Sequence, residues 1–367
     1  MTKAAELAKM GEVLDNSQIG GRRNLVINGA MQVSQRSTSA TGVGGDIDYH
    51  SLDRFLIEAG HTAGRLTFAQ VADVHDGFSY ATKLTCTTAD TSIGADEYTI
   101  FSTRLEGQDL QHLKKGTSDA EKVTVSFYVK GNASATYTVE LRDNDNGRFN
   151  SQEFPVTTDW VRITRTFTGD TTGSFDNDNA LSLKLNFWLH AGSAYTGGTH
   201  VSNTWGTTSN QRVGDNQTSF FDSTDRTFFI TGVQLELGEQ ATPFEHRSFA
   251  EELALCQRYL YNIPPTSVQY VLHGWSHDSD TFITIKEFPT TMRATPTFEV
   301  GDVTQFTVYT SGAGTASRAA SSMANNGMGP SGGGVNVQTA ANQTAGFSGG
   351  VYNSVSSPSY IRFDAEL

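Results

Sequence analysis

Two cysteines in 367 residues, Cys86 and Cys256, stand far apart in strand-like and helix-like contexts. A disulfide framework or a thiolate metal centre needs several thiols at close spacing, so neither is supported and both are expected as buried thiols. Charge is scarce at 18%, and acids outnumber bases to leave a net charge of −13. A field of that sign repels phosphate backbones and anionic lipid, which makes nucleic acid a poor partner. Long apolar runs are missing too. No stretch approaches the roughly 18 apolar residues of a membrane helix, and the opening MTKAAELAKMGEVLDNSQIGG lacks the apolar segment of a signal peptide. Membrane insertion is therefore not expected, and a role outside a cell would need another exit route. No catalytic signature stands out: there is no HExxH, P-loop or strand-linked GxGxxG, and no clustered Cys/His set. Nothing singles out a carboxylate pair, so the expectation is a non-enzyme without a cofactor or metal.

Glycine is plentiful at 36 residues, while hydrophobic residues reach only 37%, a profile of short strands joined by turns. Between about Asp53 and Leu237 the segments RFLIEA, RLTFAQV, YATKLTC, YTIFSTRL, KVTVSFYVKG, ATYTVELR, DWVRITRTF, LSLKLNFWL and RTFFITGVQLEL alternate or are rich in β-branched and aromatic residues. They predict an all-β chain built on an antiparallel jelly-roll sandwich. In KVTVSFYVKG, Val123, Val125, Phe127 and Val129 face one way, and Thr124, Ser126, Tyr128 and Lys130 the other. The period changes after VQLELG. Ser248 and Glu251 are spaced as a capping box, and Phe249, Leu253, Cys256 and Leu260 repeat at helical spacing. Such an apolar stripe must pack against something. The predicted layout is an attachment and oligomerisation segment at 1–52, the sandwich at 53–247, a connector helix at 248–263 and a C-terminal β domain at 264–367. The first segment carries a short helix over residues 3–14 and a hairpin around Asn28-Gly29. In the last, SVQYVLHGW, TFITIKEF, TFEVGD, FTVYTSG and SYIRFDAEL read as strands. Between them GAGTASRAASSMANNGMGPSGGGVNVQTAANQTAGFSGG has one charge, Arg318, and is either disordered alone or packed between chains.

Aromatic residues are the lead to function, since sugar rings stack on Trp and Tyr. In LSLKLNFWL the leucines and Phe187 fill one face, which puts Trp188 on the other beside Asn186 and Lys184. Tyr195 and Trp205 lie in the polar segment HAGSAYTGGTHVSNTWGTTSN, and Trp275 follows a strand in the C-terminal region. Cover for hydrophobic edges or subunit contacts is the alternative for all four; Trp160 reads as structural. His273 and His277 would meet on a helix but sit in strand and turn. Asp143-Asn144-Asp145-Asn146-Gly147 is like the first half of a calcium loop, yet Phe154 stands where the bidentate Glu belongs, and Asp176-Asn177-Asp178-Asn179 is similar. Turn formation accounts for both without a metal.

NLVINGAMQVSQRS, DYHSLDRF, TTDWVRITRTFTGDTTGSF, LKLNFWLHAGSAYTGGT, EFPTTMRATPTFEV and above all ITGVQLELGEQATPFEHRSFAEELALCQRYLY resemble bacteriophage virion proteins of the tail-fibre and receptor-binding type. The opening MTKAAELAKMGEVLDNSQIGGRRN is similar to such proteins of marine phages, including cyanophages. The resemblance covers nearly the whole chain. It implies a jelly roll similar to carbohydrate-binding modules, a homotrimer, contacts with other phage tail proteins and exposure on a virion assembled in the host cytoplasm. It supplies no ligand-binding residues. The function it implies is non-enzymatic binding of host-surface glycan; a purely structural tail adaptor or capsid-associated fibre is the alternative, with a depolymerase tailspike behind it.

Overall fold

A computed structural model describes residue 3 and residues 23–265, 270–311, 316–340, 342–353 and 358–367. The helix expected over residues 3–14 lies outside the described residues. The chain divides into two compact units, Met1–Glu252 with Leu367, and Leu253–Glu366.

The first unit is a sandwich of two six-stranded antiparallel sheets. One runs Ser39–Val43, Arg65–Val71, Ala81–Thr88, Thr227–Leu237, Val123–Gly131, Val161–Phe167. The other runs Ile47–Asp48, Phe55–Gly60, Tyr98–Glu106, Leu181–Ala191, Ala135–Asp143, Arg148–Val156. Strands distant in sequence lie side by side, as in a jelly roll. Alternation buries one face of each sheet against the other: Val125, Phe127 and Val129 from one, and Leu183, Leu185 and Phe187 from the other, share a single core. Phe127 meets Phe187 edge to face with centroids 5.0 Å apart.

Residues 24–33 form no hairpin; no strands flank the turn. Asn28 adopts the left-handed region at φ 62°, and its amide donates to the carbonyls of Val33 and Asp53 at 2.8 and 2.9 Å. The segment instead lies along Thr227–Leu237, with Leu25 N–H on the Leu235 carbonyl and Val233 N–H on the Gly29 carbonyl. Gly29 is required there, since a Cβ would stand 2.1 Å from the Val233 carbonyl oxygen.

Polar residues of the QLELG…ATPFEHR…EE stretch lock this segment down. Glu236 accepts from the Thr242 N–H and hydroxyl at 2.9 and 2.6 Å. Glu245 accepts from Asn24 N–H at 2.6 Å, Arg247 donates to the carbonyls of Asn24 and Val26, and Glu252 accepts from Asn28 N–H at 2.6 Å. The helix Phe249–Gln257 follows, with the Ser248 hydroxyl accepting from Glu251 N–H at 3.3 Å. Its apolar stripe differs from the helical-spacing reading. Cys256 is buried but Phe249 is 56% exposed, and Leu260 opens the strand Leu260–Ile263. The boundary between the two units falls within this helix.

The second unit contains a closed six-stranded barrel, in the order Tyr270–Ser276, Thr281–Glu287, Gly332–Thr339, Ala316–Gly329, Phe306–Thr310, Ser348–Asn353. Leu260–Ile263, Ile361–Asp364 and Thr297–Val300 form a separate three-stranded sheet. The described part of the Gly- and Ser-rich stretch therefore supplies the barrel strands Ala316–Gly329 and Gly332–Thr339. Ladder hydrogen bonds come from backbone, so the stretch needs apolar side chains only where it faces inward, at Ala320, Val335 and Val337.

Candidate functional site

The outward face of the second sheet is a lattice of polar groups set by strand register. On Leu181–Ala191, Lys184 lies directly opposite Arg104 and Arg142, Asn186 opposite Ser102 and Glu140, and Trp188 opposite Ile100 and Thr138. Adjacent strands stand about 4.8 Å apart, so each row crosses three strands in roughly 10 Å.

Trp188 is on the face expected but is not an open platform: it is fully buried. The segment that follows its strand folds back over it. The Tyr195 ring lies 5.1 Å away and the Arg212 guanidinium 4.7 Å above the indole, while the indole N–H donates to Glu140 at 3.0 Å. Glu140 also accepts from Asn186 at 2.8 Å and from Arg212 at 2.7 and 2.8 Å. Burial opposes its charge, but the Arg212 guanidinium and these hydrogen bonds outweigh burial and hold the carboxyl below its ordinary value. Trp188 thus forms a floor. Tyr195 and Tyr98, half-buried and edge to face at 5.8 Å, stand at its rim.

The row Arg104–Lys184–Arg142 brings three cations together. Glu58, on Phe55–Gly60, accepts from Arg104 at 3.0 Å and from Lys184 at 3.0 and 3.1 Å. Burial works against the Glu58 charge; the two cations overcome it and depress the carboxyl. Arg104 also donates to the Leu367 carbonyl, within the same unit. The Arg142 side chain makes no hydrogen bond or ion pair among the described residues. Burial and the nearby Arg212 charge pull its pKa down.

Trp205 is elsewhere. Its indole N–H donates to the Thr168 carbonyl at 2.6 Å, and its half-buried ring covers Lys115, whose ammonium is 5.8 Å from it and 5.2 Å from Phe175. That ammonium lies 2.6 Å from Asp143, 3.2 Å from Asp170 and 2.8 Å from the carbonyls of both Thr172 and Gly173. The Asp143 carboxylate is buried and paired with this cation. The two acidic loops touch: Asp176 N–H donates to Asp145 at 3.0 Å.

In the second unit Trp275 is 39% exposed, sharing the barrel's outer face with Tyr270 and Ile285, exposed by 48% and 60%. His273 lies in this strand opposite Ile285, and His277 lies past its end. Of the aromatic candidates in the first unit, Trp188 and Tyr195 pack together and Trp205 stands elsewhere; Trp275 belongs to the second unit.

Two groups went unnoticed in the sequence because their members meet only in three dimensions. Among the described residues, Asp46, Asp48 and His50, and separately Asp90, Glu97 and His190, bring ligand atoms within 4.8 Å of one another and could hold a metal ion. In the second group Ser219, His190 and Glu97 form a hydrogen-bonded chain at 2.7 and 3.1 Å, in the order of a nucleophile, base and carboxylate. His190 is fully buried, which keeps its ring from a substrate.

No known family profile and no curated protein matches the chain. Among solved structures, one described as "CBM4 structure and function" is 14% identical at a TM-score of 0.32, covering 57% of this chain and 97% of its own. The enzymatically active domain of tailspike protein 4 of bacteriophage CBA120 is 14% identical at 0.32, covering 58% of this chain and 21% of its own. The family 11 carbohydrate-binding module of the cellulosomal cellulase Lic26A-Cel5E of Clostridium thermocellum is 11% identical at 0.28, covering 55% and 99%. These weak likenesses carry no ligand or site over to this chain.

Proposed function

We propose that this chain is a non-enzymatic bacteriophage virion protein, a homotrimeric tail fibre that binds host-surface glycan. The observation that carries the binding reading is the outward face of the second sheet: a rim of Tyr98 and Tyr195 beside Arg212, held by Glu140, Lys184, held by Glu58, and Arg142, whose guanidinium donors are unengaged. Sugars are gripped by the faces of aromatic rings together with charged hydrogen-bonding groups whose positions are set before binding. The phage assignment is supported by the NLVINGAMQVSQRS and ITGVQLELGEQATPFEHR segments. Exposed Trp275 offers a second, weaker contact, and several trimers on one surface would gain avidity without any tight site.

A glycan array probed with the recombinant oligomer tests the reading, paired with an assay for new reducing ends that is expected to stay at baseline. A second reading, a structural adaptor touching only other tail proteins, is favoured by one observation: Trp188 is covered by its own chain. A properly folded trimer that binds no array glycan and is located inside a tail joint by cryo-EM would select it.

A further inference from the structure

We propose that the glycan bound on this face is acidic, and that Arg142 receives its carboxylate or sulfate with Lys184 beside it; this rests on the glycan-binding reading above. Like charges directly opposite on neighbouring strands repel, and here Lys184 has a cation on each side. Glu58 answers Arg104 and Lys184. Glu140, two residues from Arg142 on the same strand face, is taken by Arg212, Asn186 and Trp188. Glu140, Asp143 and Glu58 act on Arg142 through their charge, yet none of them is hydrogen-bonded to its guanidinium.

The half-buried guanidinium has lost part of its hydration without gaining a hydrogen-bond partner, a state that a bound anion relieves. Its planar fork matches a carboxylate or sulfate with two parallel hydrogen bonds, whereas the hydroxyls of a neutral sugar leave the charge unmatched. The position is continuous with the aromatic rim. Phe149 lies directly opposite Arg142, the Arg212 guanidinium is 6.0 Å from the Phe149 ring, and the same guanidinium is 5.9 Å from Tyr195.

The test titrates the full chain, by calorimetry at constant ionic strength, with D-glucuronate, D-glucose 6-sulfate, D-glucose and sodium sulfate. The two acidic sugars are expected to bind with Kd on the order of 1 mM, at least about tenfold tighter than glucose and sulfate; whichever is tighter identifies the anion. Arg142→Gln should weaken both by about tenfold or more with an unchanged melting temperature. Arg142→Lys, which keeps the charge and loses the fork, should fall between. Binding of glucose as tight as glucuronate, or an Arg142→Gln variant that binds like wild type, overturns the proposal and leaves glycan binding standing. Sodium sulfate binding as well as the acidic sugars means an inorganic anion only and overturns the sugar assignment. No binding by any of the four overturns both readings at this face.

Discussion

Replacing Lys115 by methionine removes an ammonium while keeping most of the side chain's volume, and the surroundings fix what that costs. Asp143 is fully buried. Its Oδ2 has the Lys115 ammonium at 2.6 Å as its partner, and Oδ1 accepts from the Asn146 N–H at 3.0 Å. Asp170 is better placed, since Arg148 still holds it at 2.7 and 3.1 Å. The variant therefore strands one carboxylate and the carbonyls of Thr172 and Gly173. Breaking a buried pair from one side costs about 3–5 kcal/mol. For a unit of this size, at about 2–4 °C per kcal/mol, the melting temperature falls by roughly 10 °C. Trp205 lies over the ammonium, so its fluorescence reports the transition on heating or in urea. The double variant Lys115→Met/Asp143→Asn should recover most of the loss, because no uncompensated charge remains. A loss below about 1 kcal/mol, or a double variant no more stable than the single one, would refute the reasoning, since charge pairing would then not be what this cage contributes.

Glu58 and Glu140 both have depressed carboxyls, against burial and because of the cations beside them. Their stabilisation is complete above the ordinary carboxylate value of about 4.3 and is lost as pH falls through the lower folded values. Stability measured by urea titration should therefore drop steeply below about pH 4, and Glu58→Gln should flatten that drop. Trp188→Ala should lower stability by about 3–5 kcal/mol through the cavity it leaves, whereas Trp275→Ala, at an exposed position, should stay within about 0.5 kcal/mol by the same denaturation assay. Burial, with Asp222 nearby, pushes the Cys86 thiol up to about 11, and Cys256 is also buried. A thiol-reactive dye at pH 8 should label neither in the folded chain and both in denaturant.

Alternation was enough to read the strands of the sandwich from Phe55 to Leu237, because period two is a local property of any strand with one buried face. It did not reveal Arg148–Val156, which lies at the edge of its sheet and tolerates Pro155, where a missing N–H costs no ladder bond. The outward direction of Trp188 was legible for the same local reason. Its cover was not, since the segment carrying Tyr195 and Arg212 has no period and finds its place through Glu140, distant in sequence. The cage around Lys115 is likewise assembled from three separate stretches, and the row Arg104–Lys184–Arg142 exists only once register is known. The acidic Asp143 loop looked like half a metal site because carboxylates at turn positions look alike in sequence whether a lysine or an ion satisfies them.

The closed barrel of the second unit has a consequence for crowded surroundings. A strand built from glycine, serine, alanine and asparagine, lying at the rim of an open sheet, would offer neighbouring molecules a row of unsatisfied amides with few bulky or charged side chains to keep them away. Among the described residues, 316–319 of this strand pair with Phe306–Thr310 and 320–329 with Gly332–Thr339, so each part has a ladder on one side. The mostly exposed 320–329 part thus keeps one open edge, where small uncharged side chains give a neighbouring molecule little resistance.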